Sequence, residues 1–143
     1  MKNILEEIIL LENKGEFENA FKLIESFKVA HNGNIEFWFK RGDISLKLEL
    51  LDEALESFFH ILLLDEENID ALEQFKLAYS YDYQQNCVLE FLKKKLLSEN
   101  PKKIALTKYL LVIIYFDAKE DHKIIPELYD DNDIIKFYPK IKY

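Results

Sequence analysis

Apolar residues recur along the start of the chain at intervals of three and four, the spacing that places side chains on one face of an α-helix. Two stripes follow this rule: Ile4, Ile8 and Leu11, and then Phe17, Phe21, Ile24 and Phe27. Gly15 lies between them and can adopt the left-handed conformation that ends a helix. The pattern predicts a helical hairpin over residues 3 to 13 and 17 to 30.

The next segment repeats this arrangement. Its periodicity predicts a helix over residues 35 to 48, a short break near Glu49 to Leu51, and a second helix over residues 52 to 64 with Asp52 as N-cap. Aligning the two hairpins gives a period of 34 residues, which places Ala20 over Ala54. With only three Gly and three Pro in 143 residues, there is little room for β-hairpin turns, so we expect an all-α protein of antiparallel helical hairpins.

The second hairpin resembles the tetratricopeptide repeat (TPR). Trp38, Gly42, Ala54, Phe58 and Asp65 fall at the fourth, eighth, twentieth, twenty-fourth and thirty-first places of a 34-residue unit, and the family pattern includes a Trp, a Gly and a small residue in the second helix. We expect Gly42 and Ala54 to face each other and let the two helices approach closely. The resemblance also implies a short right-handed solenoid.

The flanking segments match this pattern less well. Lys76 and Val88 occupy the small-residue places of the third repeat, which is therefore degenerate. Pro101 marks a boundary, after which Leu106, Leu110, Ile113 and Ile114 supply an apolar face. We expect one domain over residues 1–143, with TPR-like repeats at 1–34, 35–68 and 69–102, and a last segment, 103–143, that forms a fourth helical pair or capping helices plus a C-terminal tail.

Charge narrows the choice of partner. The formal net charge is -8, and the excess lies in the first half: residues 1 to 34 carry six acidic and four basic side chains, and residues 35 to 68 carry nine and three. Binding a polyanion requires clustered Lys and Arg, so we expect no nucleic-acid partner. The same charge favours a partner that presents basic residues to the first two repeats.

No motif in the sequence indicates catalysis. Cys87 is the only cysteine and is expected to be a buried small hydrophobe, while His31, His60 and His122 fall in different repeats and share no metal-binding spacing. Phosphate-binding and nucleophile-elbow motifs are also missing. We expect no enzyme, no cofactor and no metal. The longest apolar run, 110–116, is far shorter than the roughly 20 residues that span a bilayer, so we expect no membrane association and a cytoplasmic location.

The TPR resemblance implies where a partner would bind. In that family, the second, fifth, ninth and twelfth places of each first helix line a concave groove. Here the implied groove residues, with Tyr81 beside them, are Leu5, Ile9, Glu12, Glu36, Phe39, Asp43, Leu46, Asp70, Glu73, Leu77 and Tyr81. A surface that combines apolar side chains with carboxylates suits a peptide or protein segment carrying hydrophobic and basic residues.

Other interpretations remain open from the sequence. The same residues could pack against a neighbouring helix or against a second subunit, which would make the protein a self-associating scaffold and a homo-oligomer. Its size, acidity and repeat number also resemble those of bacterial secretion chaperones. The tail, residues 134 to 143, carries three Lys among apolar and aromatic residues, and it could either dock into the groove or cap the last helix.

Overall fold

In a computed structural model, residues 3 to 119 are described, and this part of the chain is entirely helical. The all-α prediction is therefore confirmed for these residues. The seven helices are α1 (Ile4–Asn13), α2 (Phe17–Phe27), α3 (Ile35–Lys47), α4 (Leu51–Leu64), α5 (Ile69–Ser80), α6 (Asp82–Lys95) and α7 (Pro101–Asp117). The chain divides into two compact units, Met1–Leu64 (unit 1) and Asp65–Tyr143 (unit 2). The single-domain assignment stays a prediction.

Each odd-numbered helix begins with an asparagine cap. The side-chain oxygen of Asn34 accepts a hydrogen bond from the backbone N–H of Phe37, and that of Asn68 accepts one from Ala71, at 3.2 and 3.0 Å. Asn3 and Asn100 cap α1 and α7 in a related way. An N-cap of this type contributes about 1 kcal/mol to the helix that it starts. The chain therefore signals locally where each of these helices begins.

The two hairpins of unit 1 turn with equivalent backbone hydrogen bonds. The N–H groups of Gly15 and Glu16 donate to the carbonyls of Glu12 and Leu11 at 3.0 and 2.9 Å. Exactly 34 residues later in register, the N–H groups at 49 and 50 donate to the carbonyls at 46 and 45, at 3.1 and 2.8 Å. Gly15 and Glu49 both have positive φ, 76° and 60°. The 34-residue period found in the sequence is thus present in the backbone of unit 1.

Two predicted helix ends of unit 1 are wrong. Helix α4 begins at Leu51, so Asp52 lies in its first turn and is not its N-cap; there its charge still interacts favourably with the helix dipole. Helix α2 ends at Phe27 rather than at residue 30. The carbonyls just beyond this end are taken by side chains, since Trp38 Nε1 donates to the carbonyl of His31 at 3.1 Å.

Helices α3 and α4 pack against each other around Gly42. A methyl group added at Gly42 would lie 2.6 Å from two ring atoms of Phe58, so only glycine fits against this ring. The close approach that the sequence predicts is present, but the neighbour that requires it is Phe58 and not Ala54. Trp38 and Ala54 are both buried nearby in the core.

A buried arginine completes the core of unit 1. Arg41 is only 2% exposed. From α3 its Nε donates to Glu25 of α2 at 2.6 Å, and its Nη1 donates to the carbonyl of Glu53 and to the hydroxyl of Ser57 on α4 at 3.0 and 2.9 Å. Its guanidinium also lies over the ring of Trp38, 5.4 Å from the centroid. A buried charge is tolerated only when it is paired and fully hydrogen-bonded, so Arg41 ties three helices together.

Unit 2 is built from α5, α6 and α7, each in contact with the other two. Helix α7 starts at Pro101, as the sequence predicts, and Leu106, Leu110 and Ile114 are buried while Ile113 is half-buried. Lys76, at a small-residue place of the third repeat, is half-buried and pairs with Glu73 at 3.3 Å. The predicted partner helix of α7 and the C-terminal tail lie outside the described residues.

The equivalent turns generate a test with opposite signs. Non-glycine residues pay about 1 to 2 kcal/mol for a left-handed conformation, so Gly15→Ala should lower the free energy of unfolding by about 1 kcal/mol. Glu49→Gly should raise it by about 0.5 kcal/mol, because the relief of strain is partly offset by the greater entropy of glycine in the unfolded chain. Chemical denaturation measures both values.

Gly33→Ala is the matched control, because Gly33 does not have a positive φ and has open space around its Cα. This variant should keep or slightly raise stability. Equal losses in Gly15→Ala and Gly33→Ala would contradict the interpretation.

Candidate functional site

The buried side of α3 determines which of its residues face water. Phe37, Trp38, Arg41, Gly42, Ile44 and Ser45 are buried. On the other side of the helix, Glu36, Asp43 and Leu46 are exposed and Phe39 is half-buried. On α1, Leu5, Ile9 and Glu12 recur at intervals of four and three and share one side of that helix. We call these seven residues, together with Lys40 and Lys47, the α1–α3 face.

Glu12 holds the two helices of this face together. Its carboxylate accepts hydrogen bonds from Lys40 Nζ at 2.9 Å and from Lys47 Nζ at 3.0 Å, one on each oxygen. The bond from Lys40 lowers the pKa of Glu12, partial burial opposes this effect, and the bond from Lys47 adds to it, so the pKa lies below its usual value. Glu12 is therefore already paired within unit 1.

Asp43 differs from Glu12 although both are carboxylates on the same face. It lies between Lys40 and Lys47 on α3, yet within the described part of the chain no side chain forms an ion pair with it, because both lysines bond to Glu12. Partial burial raises the pKa of Asp43, and the lowering effect of Lys40 does not cancel this. The charge of Glu12 raises it further. Asp43 is thus an exposed carboxylate without a close cation.

Apolar side chains accompany this carboxylate. Ile9 is 37% exposed and Leu46 is 39% exposed, while Leu5 is half-buried. Phe39 also contributes to the core, since its ring lies 5.9 Å from that of Phe58. The exposed apolar area of the α1–α3 face is therefore carried mainly by Ile9 and Leu46, and Phe39 supports it from below.

The remaining predicted groove residues belong to unit 2. Asp70, Glu73 and Leu77 lie on α5 at intervals of three and four, and Tyr81 follows the last residue of that helix. All four are exposed, and Glu73 pairs with Lys76. The Tyr81 ring lies 5.9 Å from that of Tyr83. That these residues join the α1–α3 face in one groove stays a prediction.

The residues singled out for chemistry have other roles in the described structure. The prediction that Cys87 is buried is wrong: it is exposed, because α6 buries Val88, Phe91 and Leu92 and leaves the preceding position facing water. His60 stacks on Trp38, with ring centroids 4.1 Å apart. Within residues 3 to 119, no group of three His, Cys, Asp or Glu side chains could hold a metal ion.

The structure adds Lys40 and Lys47 to the face, which the sequence did not indicate as site residues. Both lie beside predicted positions, at intervals of three and four from Asp43, so their presence on the same side of α3 could be inferred from spacing. Their common partner, Glu12, is 28 and 35 residues away in sequence. Only the packing of α1 against α3 reveals that pairing.

Comparisons of the chain with protein-family models, with curated proteins and with solved structures find no match. Among the described helices, none is both long enough and apolar enough to cross a lipid bilayer. The surface must therefore be interpreted from its own geometry and charge.

Glu12 and Asp43 should affect stability in opposite directions. The lowered pKa of Glu12 means that its ion pairs stabilise the fold above the usual glutamate pKa and stop doing so as the pH falls through the lower, folded-state value. Glu12→Gln should therefore cost about 1 kcal/mol at neutral pH and almost nothing in strong acid.

For Asp43 the sign is reversed. Its raised pKa means that ionisation disfavours the fold above that raised value, and the cost disappears as the pH falls below the usual aspartate value. Asp43→Asn should be at least as stable as wild type at neutral pH. Denaturant titrations at several pH values measure both variants, and a loss of stability in Asp43→Asn comparable to that in Glu12→Gln would refute this assignment.

Proposed function

We propose that unit 1 binds a segment of another protein through the α1–α3 face. The observation that carries this proposal is the position of two exposed apolar side chains, Ile9 and Leu46, beside an unpaired carboxylate, Asp43. Interfaces combine apolar contacts with polar groups that fix orientation. A segment with hydrophobic and basic residues would satisfy both parts of this surface.

The repeat geometry supports a TPR-like interpretation of unit 1. The turns at Gly15 and Glu49 share their hydrogen bonds at an offset of 34 residues, and Asn34 and Asn68 cap helices at the same offset. Two helical hairpins with this period are the unit from which TPR proteins are built. We propose that the chain belongs to this type of architecture, including its right-handed solenoid, and that it acts in the cytoplasm.

A binding role explains the α1–α3 face without any reaction. Glu12 is held by two lysines, which suits a fixed structural charge better than a group that exchanges protons. Ile9 and Leu46 offer contact area and no chemistry. We therefore propose that the protein is not an enzyme and that it uses no cofactor.

Two exposed side chains provide a clean experiment. Ile9→Ser combined with Leu46→Ser removes the apolar contacts of the face while leaving the core unchanged, because both side chains are more than one-third exposed. Wild type and the double variant are used for quantitative pull-down from source-cell lysate. Since loss of 1.4 kcal/mol is a tenfold change, we expect retention of the partner to fall by about tenfold or more.

Val29→Ser combined with Leu64→Ser is the matched control. Both side chains are exposed and neither lies on α1 or α3, so this variant should retain the partner like wild type. Equal retention by all three proteins would rule out the face. Sedimentation of the same variants distinguishes a partner from self-association, since a dimer that dissociates only in the face variant would identify the partner as a second copy.

A further inference from the structure

We propose that Asp43 recognises a single Lys or Arg side chain of the bound segment, and that the α1–α3 face disfavours a run of basic residues. This inference rests on the proposed function and identifies the residue that selects the partner. The sequence alone suggests a row of equivalent carboxylates. The structure makes two of these carboxylates, Glu12 and Asp43, unequal.

Glu12 is not available to a partner. Each of its oxygens already accepts a hydrogen bond from a lysine, at 2.9 and 3.0 Å, and its side chain is only 13% exposed. Lys47 is held further by its position over the ring of Phe17, 5.0 Å from the centroid. A cation from outside would have to break these contacts to reach Glu12. Glu12 therefore positions the lysines and does not recognise the ligand.

Asp43 is available. It is exposed and lies one turn from both lysines, but the lysines donate to Glu12 instead. Partial burial and the nearby charge of Glu12 make its ionised form unfavourable in the free protein, as its raised pKa shows. A cation that approaches Asp43 removes this penalty and gains a charge-assisted hydrogen bond.

The surrounding charges limit the ligand to one cation. Around Asp43, the two carboxylates and the two lysines balance each other. A second or third basic residue of the ligand would therefore approach Lys40 or Lys47 rather than a free carboxylate, and like charges repel at this range. Leu46 follows Asp43 by three residues on the same side of α3, so apolar residues should flank the single cation.

The probes are fluorescent peptides of one sequence, Leu-Ser-Phe-X-Leu-Ser-Phe, added to the full-length protein. In the first two, X is lysine or acetyl-lysine, which differ in charge while keeping a similar chain. A third carries lysine at X and at both serine positions. Fluorescence anisotropy gives the Kd of each. Asp43→Asn is compared with Glu56→Gln, which removes a charge from an exposed position on α4, away from the face.

We expect wild type to bind the lysine peptide about fivefold more tightly than the acetyl-lysine peptide, the discrimination that one exposed ion pair supplies. Asp43→Asn should reduce this ratio to about one, and Glu56→Gln should preserve it. The peptide with three lysines should bind no more tightly than the peptide with one. Circular dichroism and a thermal transition confirm that each variant is folded.

The contrary outcomes separate the two proposals. A lysine preference that survives Asp43→Asn, or an affinity that rises with each added lysine, would overturn the role of Asp43 and leave binding at the face intact. Failure of the folded wild-type protein to bind any of the three peptides would overturn both this inference and the proposed preference for apolar and basic segments.

Discussion

The guanidinium of Arg41 is the constraint on which the rest of unit 1 depends. A buried arginine costs several kcal/mol of desolvation unless each of its donors finds an acceptor, and here the acceptors come from α2 and α4. Burial raises the pKa of Glu25, but its bonds from Arg41 and Lys28 lower it by more, so the carboxylate stays ionised as the counter-charge. With Arg41 turned inward, α3 has one rotational setting, and Asp43 and Leu46 must face outward.

Local signals and tertiary packing support the same arrangement. Asparagine caps start the first helix of each hairpin, and left-handed residues at 15 and 49 end them with the same hydrogen bonds. Gly42 then allows the ring of Phe58 to lie against α3. Because these features recur at a 34-residue offset or lie within one hairpin, unit 1 is specified mostly by contacts that are short in sequence. The face inherits its geometry from them.

The sequence predicts the helices better than it predicts the chemistry of the face. Apolar periodicity and Gly15 locate the first hairpin because both signals are local. The role of Arg41 was not predicted, because composition treats every arginine as a surface charge; its place three residues after Trp38, on the buried side, was the available signal. The pairing of Glu12 with Lys40 and Lys47 depends on how α1 meets α3, which no local pattern contains. Cys87 was misplaced because one position on a helix turns a side chain by about 100°.

The α1–α3 face is thus a consequence of how unit 1 satisfies its buried charge, and we propose that binding uses the side of α3 that this packing leaves free. The most direct test places the photo-crosslinking residue benzoylphenylalanine at Leu46, with Glu56 on α4 as the reference position. Irradiation in source cells, followed by mass spectrometry, should give a discrete covalent adduct from position 46 and none from position 56. Adducts of equal yield from both positions, or from position 56 alone, would contradict the assignment of this face as the binding surface.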